Sequence, residues 1–282
     1  AVDDPALKAS LRQHLSDGLV FPKARQLALL QVFGDDCAAV LNEPNNILGV
    51  EYIKWLLRLN SPIAPVTITR TGATHESDES CAGIASASLI RKRMLAGGSW
   101  QSLVPSQAAG LYENELSQGY APRSLAPLER AILARLRTIS QAELLTLPDV
   151  TEGLEGRIYK AARTASSLDE LYQLIKSKRY TLSRIRRIIL CAYLGIPSDL
   201  QTRTPPYIRV LGLNERGRQI LSRAKETAAL TFSTSLAKLE GLCADASRFA
   251  GIEAAATDVF SLCAPKIMPC GLDFTAEAVI IK

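Results

Sequence analysis

Residues 44–70 read PNNILGVEYIKWLLRLNSPIAPVTITR, and this stretch decides the fold class that the sequence predicts. Apolar residues recur at a helical period over residues 47–59, which indicates a half-buried helix after a loop at residues 41–46. The β-branched, proline-bounded run at residues 64–70 predicts a strand. Together with a serine-capped helix predicted at residues 86–95, this order of elements is typical of an α/β nucleotide-binding fold.

The rest of the chain carries mainly helical signals, and strand signals fade after about residue 105. The Asp4-Pro5 pair is a typical helix start, and capping boxes begin at Ser140 and Ser167. The apolar run at residues 278–281 predicts a closing strand. Further helices are predicted at residues 6–18, 21–33, 181–194, 214–225 and 252–263.

The composition is that of a globular protein, with 47% hydrophobic and 22% charged residues. No apolar run approaches the roughly 20 residues that span a bilayer, so we expect a soluble, cytoplasmic protein. Residues 155–223 hold 14 lysines and arginines but only 5 acidic residues, a net charge of +9 in a chain whose total is +5. This segment indicates either a polyanionic partner or simply a soluble basic surface.

Cysteine and histidine usage predicts no metal site. None of the six cysteines forms a C-x-x-C pair, so we expect free, buried thiols in a reducing compartment. Only two histidines, His14 and His75, are present, which is a poor inventory for zinc.

Three short segments are candidates for nucleotide binding. Paired asparagine amides ahead of a helix suit an adenine edge or a ribose, and an arginine at the carboxyl end of a strand can clamp a phosphate. Hydroxyls at a helix start, with an arginine one turn on, form a phosphate cradle. A turn, a surface ion pair and a capped helix remain the structural alternatives. The candidates are Asn45, Asn46, Arg70, Ser86, Ser88 and Arg91.

A basic cluster within residues 176–187 contains no acid and predicts contacts with RNA phosphates, whose strength falls with salt. Arg184 and Arg187 lie one helical turn apart, opposite an apolar stripe, and Tyr180 could stack on a base. The alternative is an ordinary solvated helix face. The candidate RNA-binding residues are Lys176, Lys178, Arg179, Tyr180, Arg184, Arg186 and Arg187.

Several segments, taken in order, resemble the tRNA(Met) cytidine acetate ligase family of HIGH-type nucleotidyltransferases. The similarity runs nearly from end to end, and the ordered set is more specific than any one motif. The matching segments are FPKAR at 21–25, PNNILGVEY at 44–52, SPI at 61–63, PVTI at 65–68, ASASLIR at 85–91, EGLE at 152–155, KRYT at 178–181, YIRVLG at 207–212, ATD at 256–258 and GLDFT at 271–275.

The resemblance implies a partial Rossmann-like α/β nucleotidyltransferase domain at residues 1–115, followed by a mainly α-helical, basic, tRNA-binding domain at residues 116–282. It implies that ATP, with Mg²⁺, activates acetate as acetyl-adenylate, and that the acetyl group then passes to the wobble cytidine of elongator tRNA(Met). Asn45, Arg70 and Thr71 match the family's ATP contacts.

The second phosphate signature of the wider superfamily is matched by Ser86, Ser88 and Arg91. Ala87 replaces a serine of that signature, which removes one hydroxyl contact.

One departure concerns the family's H-x-G-H signature, whose histidines stabilise phosphate charge and which is absent from these 282 residues. The resemblance therefore implies that no catalytic histidine lies in this chain, that the chain alone is inactive, and that a separate chain or segment carries the N-terminal half of the nucleotide-binding domain. The alternatives are a non-catalytic tRNA- or RNA-binding module and a small-metabolite adenylyltransferase. The long basic helical region argues against the latter.

Overall fold

The computed structural model describes residues 4–69, 84–151, 153–177 and 180–281. The chain divides into two compact units, residues 1–71 and residues 72–282, each described by itself below. The functional boundary near residue 116 stays a prediction, because compactness alone does not define a functional domain.

The first unit is helical where it is described. Asp4 caps its first helix by accepting hydrogen bonds from the backbone N–H groups of Ala6 and Leu7 at 2.8 and 3.1 Å, which confirms the predicted start. The small residues Ala24 and Ala28 are fully buried and allow close helix packing. The helices are α1 (Pro5–Ser16), α2 (Phe21–Phe33), α3 (Asp35–Ala39) and α4 (Pro44–Arg58), with a 3₁₀ turn at Val40–Asn42.

Two predictions for the first unit are wrong. The helix α4 begins at Pro44, since proline is well suited to a first helical position, so Asn45 and Asn46 lie in its first turn and not in a preceding loop. The predicted strand is not formed over residues 64–69, where Val66 and Ile68 are 86% and 92% exposed. A strand needs a paired neighbour, and no described segment pairs with this one.

The second unit begins with helices whose predicted caps are present. Ser86 accepts a hydrogen bond from the N–H of Leu89 at 3.1 Å, which confirms the predicted helix start. Ser140 and Ser167 likewise accept from the N–H groups three residues on. These helices are α5 (Ala87–Leu95), α6 (Ser106–Gln118), α7 (Glu129–Thr138), α8 (Gln141–Leu145), α9 (Leu154–Thr164), α10 (Leu168–Ile175) and α11 (Leu182–Leu194).

The largest core of this unit lies among the helices α7 to α11. The predicted apolar stripe of α11 is confirmed, because Ile185, Ile188 and Ile189 are completely buried. Arg137 ties this bundle together by donating hydrogen bonds to the carbonyl oxygens of Ala162 and Ala165 at 3.3 and 2.9 Å.

The last part of the second unit holds two pairs of short parallel strands. Strand β1 pairs with β3, and β2 pairs with β4, so the predicted closing strand is confirmed at its centre. Helix α14 begins earlier than predicted. The elements are β1 (Tyr207–Arg209), β2 (Gly212–Leu213), α12 (Glu215–Ala224), β3 (Thr231–Ser233), α13 (Leu236–Glu240), α14 (Ala244–Ser261), α15 (Leu272–Thr275) and β4 (Val279–Ile280).

A partly buried charge network fastens β1 to α14 and α15. Arg209 forms ion pairs with Asp273 at 2.7 Å and with Glu253 at 3.5 Å. Burial raises the pKa of the Asp273 carboxyl, but hydrogen bonds from Arg209 and Thr257 outweigh burial and hold that pKa below its ordinary value. The YIRVLG and GLDFT segments, far apart in sequence, therefore meet here in one network.

The five described cysteines are free thiols, as predicted. Their expected burial is confirmed only for Cys191 and Cys263, since Cys37, Cys243 and Cys270 are exposed. Within the described ranges, no helix is long and apolar enough to cross a membrane.

Candidate functional site

The start of α5 presents the polar groups predicted to bind phosphate. Ser86 is only 2% exposed and its hydroxyl caps the helix, whereas Ser88 and Arg91 are exposed. The first-turn N–H groups of a helix lack partners within the helix and favour an anion. Ser88 and Arg91 are therefore the side chains of this segment that an anionic ligand can reach.

Arg91 also lines a cavity of about 440 Å³ formed with α6, the following loop and α14. Arg123 lines the same cavity, but its Nε donates to the carbonyl oxygen of Tyr120 at 2.9 Å, and its guanidinium lies 4.7 Å from the ring centre of Phe260. Glu115 lies 3.7 Å from Arg123. Arg123 is thus held in place, whereas Arg91 has no ion pair in the part of the chain that the structure describes.

Tyr112 forms part of the same wall. Its ring packs edge-on against Trp100, with ring centres 5.1 Å apart. Burial raises the pKa of the Tyr112 phenol more than the charge of Arg123 lowers it, so the hydroxyl stays a hydrogen-bond donor at neutral pH. Tyr112 and Arg123 could not be predicted from the sequence, because each stands alone there and belongs to no recognisable motif.

The remaining nucleotide candidates belong to the first unit or lie outside the described residues. Asn45 and Asn46 are exposed in the first turn of α4, in the first unit. Arg70 and Thr71 lie outside the described residues. The described candidates thus lie at the starts of two helices, α4 of the first unit and α5 of the second.

Contacts within the second unit engage part of the basic cluster and offset part of its positive charge. Arg187 donates through Nε and Nη2 to Oδ2 of Asp149 at 2.8 and 2.5 Å. Arg184 donates to the backbone carbonyl of Asp149 at 2.7 Å and to the hydroxyl of Thr151 at 3.0 Å. Both arginines thus fasten the loop before α9 to α11.

The expectation that Tyr180 could stack on a base requires a correction. Its side chain is 7% exposed and belongs to the main core, so its ring has no open face on which a base could stack. Lys176 and Arg186 are exposed, while Lys178 and Arg179 lie outside the described residues. Lys176, Arg184 and Arg186 are thus the described members of the cluster whose charge no acidic side chain offsets, although Arg184 is held by neutral oxygen atoms.

Comparison with known proteins identifies the family to which this chain belongs. The family model described as HIGH nucleotidyl transferase matches residues 2–271. The chain belongs to the HIGH nucleotidyltransferase family. Within it, the chain is 38% identical to the tRNA(Met) cytidine acetate ligase of Caldanaerobacter subterraneus subsp. tengcongensis, over 96% of this chain and 68% of the relative. It is 30% identical to that of Acetivibrio thermocellus, over 99% of this chain and 72% of the relative.

Solved structures agree with this grouping. The crystal structure of Thermotoga maritima TmcAL in its apo form matches with a TM-score of 0.89 at 27% identity, over 99% of this chain and 71% of that one. A second structure of that protein, bound with alpha-thio ATP, matches with a TM-score of 0.87 at 27% identity, over 99% of this chain and 70% of that one. The chain is therefore a member of the tRNA(Met) cytidine acetate ligase family, and it spans about two thirds of the length of these relatives.

Because the chain belongs to a nucleotidyltransferase family, the start of α5 is a candidate phosphate site. An exposed hydroxyl and an exposed guanidinium beside a helix N-terminus suit the phosphates of a nucleotide. The cavity beneath Arg91 offers mostly apolar and aromatic side chains, among them Met94, Leu95 and Tyr112.

Proposed function

We propose that this chain takes part in ATP-dependent acetylation of the wobble cytidine of elongator tRNA(Met). The observation that carries the proposal is the 38% identity to a tRNA(Met) cytidine acetate ligase over 96% of this chain. In the first step, a carboxylate oxygen of acetate attacks the α-phosphorus of ATP, and the bond to the β-phosphate oxygen breaks. Acetyl-adenylate and pyrophosphate result. In the second step, the cytidine N4 amine attacks the acetyl carbonyl, loses a proton and displaces AMP.

Residues at the starts of two helices, α4 and α5, are proposed to contact ATP. Ser88 and Arg91 would bind phosphate oxygens beside the first-turn amides of α5. Asn45 and Asn46 would pair with the adenine edge or the ribose, because an amide both donates and accepts. Arg70 and Thr71 remain predicted contacts. Mg²⁺ would be bound chiefly by the oxygen atoms of the triphosphate, because Mg²⁺ prefers oxygen ligands.

The tRNA would be bound by the basic helical region, where Lys176 and Arg186 have exposed charges. Lys178 and Arg179 remain predicted phosphate contacts. Arg184 and Arg187 would add charge while keeping their bonds to residues 149–151.

The experiment tests the step that depends on the histidine signature, because these 282 residues contain no H-x-G-H sequence. The chain is incubated with ATP, acetate and elongator tRNA(Met), alone and with the part of the Caldanaerobacter relative that it does not match, supplied as a separate polypeptide. We expect pyrophosphate release and N4-acetylcytidine, measured by mass spectrometry of digested tRNA, only in the second case. A histidine-to-alanine variant of the added polypeptide is the control.

A second candidate function is a tRNA-binding module without catalysis, which would use the exposed charges of Lys176 and Arg186. It predicts that tRNA binding is independent of ATP and that no acetylcytidine forms in either case. Acetyl-adenylate made by the chain alone would contradict both the module and the predicted need for the missing histidines.

A further inference from the structure

A second cavity, of about 380 Å³, lies where the parallel strands β1 and β3 end, and residues of α12 line its other side. Ligands of α/β sheets gather outside the carboxyl ends of parallel strands. Strand β1 ends at Arg209 and β3 at Ser233, and the N–H of Val210 donates to the carbonyl oxygen of Ser233 at 2.9 Å. The cavity is lined by residues on both sides of this bond, including Val210, Phe232, Ser233 and Thr234.

Helix α12 and its C-terminal cap residue contribute two cationic side chains and a hydroxyl to this cavity, beside the apolar Leu221. Arg218, Ser222 and Lys225 line the cavity, and their spacing of four and three residues places them on one face of a helix. No residue of α12 is buried. The face is therefore open to solvent and is not part of the small core behind it.

The charges of this face are available to a ligand. The side chain of Arg218 is 63% exposed, and its contact with Glu215, at 3.8 Å, is an exposed pair of little strength. Lys225 has no ion pair in the described ranges. In contrast, Arg187 of the predicted basic cluster already binds a carboxylate.

The combination of groups indicates the class of ligand. Two cationic side chains suit a phosphodiester, and the hydroxyls of Ser222, Ser233 and Thr234 suit sugar or base edges. Phe232 is only half-buried and provides an aromatic surface, which binding sites for unstacked bases commonly have.

We propose that this cavity binds one unstacked nucleotide of the RNA substrate, with its phosphodiester against Arg218 and Lys225 and its base against Phe232. The proposal rests on the proposed function, which makes an RNA the substrate. It adds a contact outside the basic cluster of residues 176–187.

The test compares two double variants of α12 in the 282-residue chain. Arg218→Ala with Lys225→Ala removes both cavity charges, and Arg216→Ala with Arg223→Ala removes two exposed charges that do not line the cavity. Binding of elongator tRNA(Met) transcript is measured from 50 to 300 mM salt, and far-ultraviolet circular dichroism checks the fold of each variant. We expect the cavity variant to lose on the order of tenfold in affinity, and its plot of log Kd against log salt to flatten by about 0.7 for the one phosphate that is no longer neutralised.

The control variant is expected to lose much less affinity. Phe232→Leu should weaken tRNA binding several-fold without changing the dependence on salt, because stacking is lost while charge is kept. Equal losses in the two double variants would overturn the proposal, since the effect would then be diffuse charge. Displacement of tRNA by inorganic phosphate alone at micromolar concentration would also overturn it in favour of a free-anion site. Failure of the unmodified chain to bind tRNA would refute the proposed function itself, whereas normal binding by the cavity variant would refute the cavity alone.

Discussion

Arg187 donates two hydrogen bonds to the same carboxylate oxygen of Asp149, at 2.8 and 2.5 Å, across 38 residues of sequence. Asp149 adopts a left-handed backbone conformation, with φ of 61°, and its carbonyl oxygen binds Arg184. One acidic residue therefore engages two arginines that the sequence suggested for RNA. This contact holds the conformation of the loop before α9. It also reduces the positive charge that α11 presents to a polyanion.

The change Asp149→Asn should weaken the loop contact but strengthen RNA binding. Asparagine tolerates the left-handed conformation, so backbone strain is unchanged, while the charge of Arg187 is no longer offset. We expect a loss of roughly 0.5–1 kcal/mol in the free energy of unfolding, since the pair is half-exposed. Affinity for tRNA at low salt should rise several-fold. Urea denaturation and a filter-binding titration measure the two effects.

The control for Asp149→Asn is Asp169→Asn, which removes the same charge from α10, where no ion pair of Asp169 is seen in the described part of the chain. If both variants bind tRNA equally tightly, the gain comes from net charge alone, and the specific role of the Asp149–Arg187 pair is refuted.

The change Ile188→Ala should destabilise the helical core strongly. Ile188 is completely buried among the helices α7 to α11, and a large-to-small change there removes apolar contacts and leaves a cavity. We expect a loss of about 2–5 kcal/mol in the free energy of unfolding, measured by urea denaturation. The matched control is Ile208→Ala in β1, where the residue is 48% exposed. A similar loss in both variants would contradict the assignment of the core.

The helical region of this chain could be predicted closely because its signals are local. Ser86, Ser140 and Ser167 cap helices where predicted, and the isoleucine stripe of α11 follows from helical period alone. Capping and helical periodicity depend on residues only a few positions apart, so both can be recognised in the sequence alone.

The errors concern features that depend on distant partners. Residues 64–69 have the composition of a strand, yet a strand exists only where another segment pairs with it. Tyr180 stands among basic residues in the sequence but packs into the core. The partnership of Arg187 with Asp149 could not be read from either residue, because 38 positions separate them. The cavity at α12 likewise arises only when two strands and a helix meet.

Alkaline pH should destabilise the last part of the chain through Tyr207. Burial, followed by the nearby Glu253 carboxylate, raises the pKa of this phenol to about 12. Above pH 10 the unfolded phenol ionises while the folded one stays protonated, so the unfolded state binds fewer protons and stability falls as the pH rises from about 10 to about 12. Tyr207→Phe should remove this part of the loss, as measured by unfolding transitions between pH 8 and pH 12.

The control for Tyr207→Phe is Tyr52→Phe, because Tyr52 is 64% exposed. That variant should lose stability with pH as the unmodified chain does. If Tyr207→Phe shows the same alkaline loss as the unmodified chain, the raised pKa of Tyr207 does not contribute to stability.

The change Arg91→Ala should weaken binding of ATP without unfolding the chain. Arg91 is exposed and has no ion pair in the described ranges, so its removal costs little stability. Loss of a guanidinium that pairs with a phosphate should raise the Kd for ATP on the order of tenfold or more, measured by isothermal titration calorimetry. The matched control is Arg130→Ala, which removes another exposed arginine, on α7. Undiminished ATP binding by Arg91→Ala would exclude the start of α5 as a phosphate site, whereas equal weakening by both variants would indicate a general effect of charge.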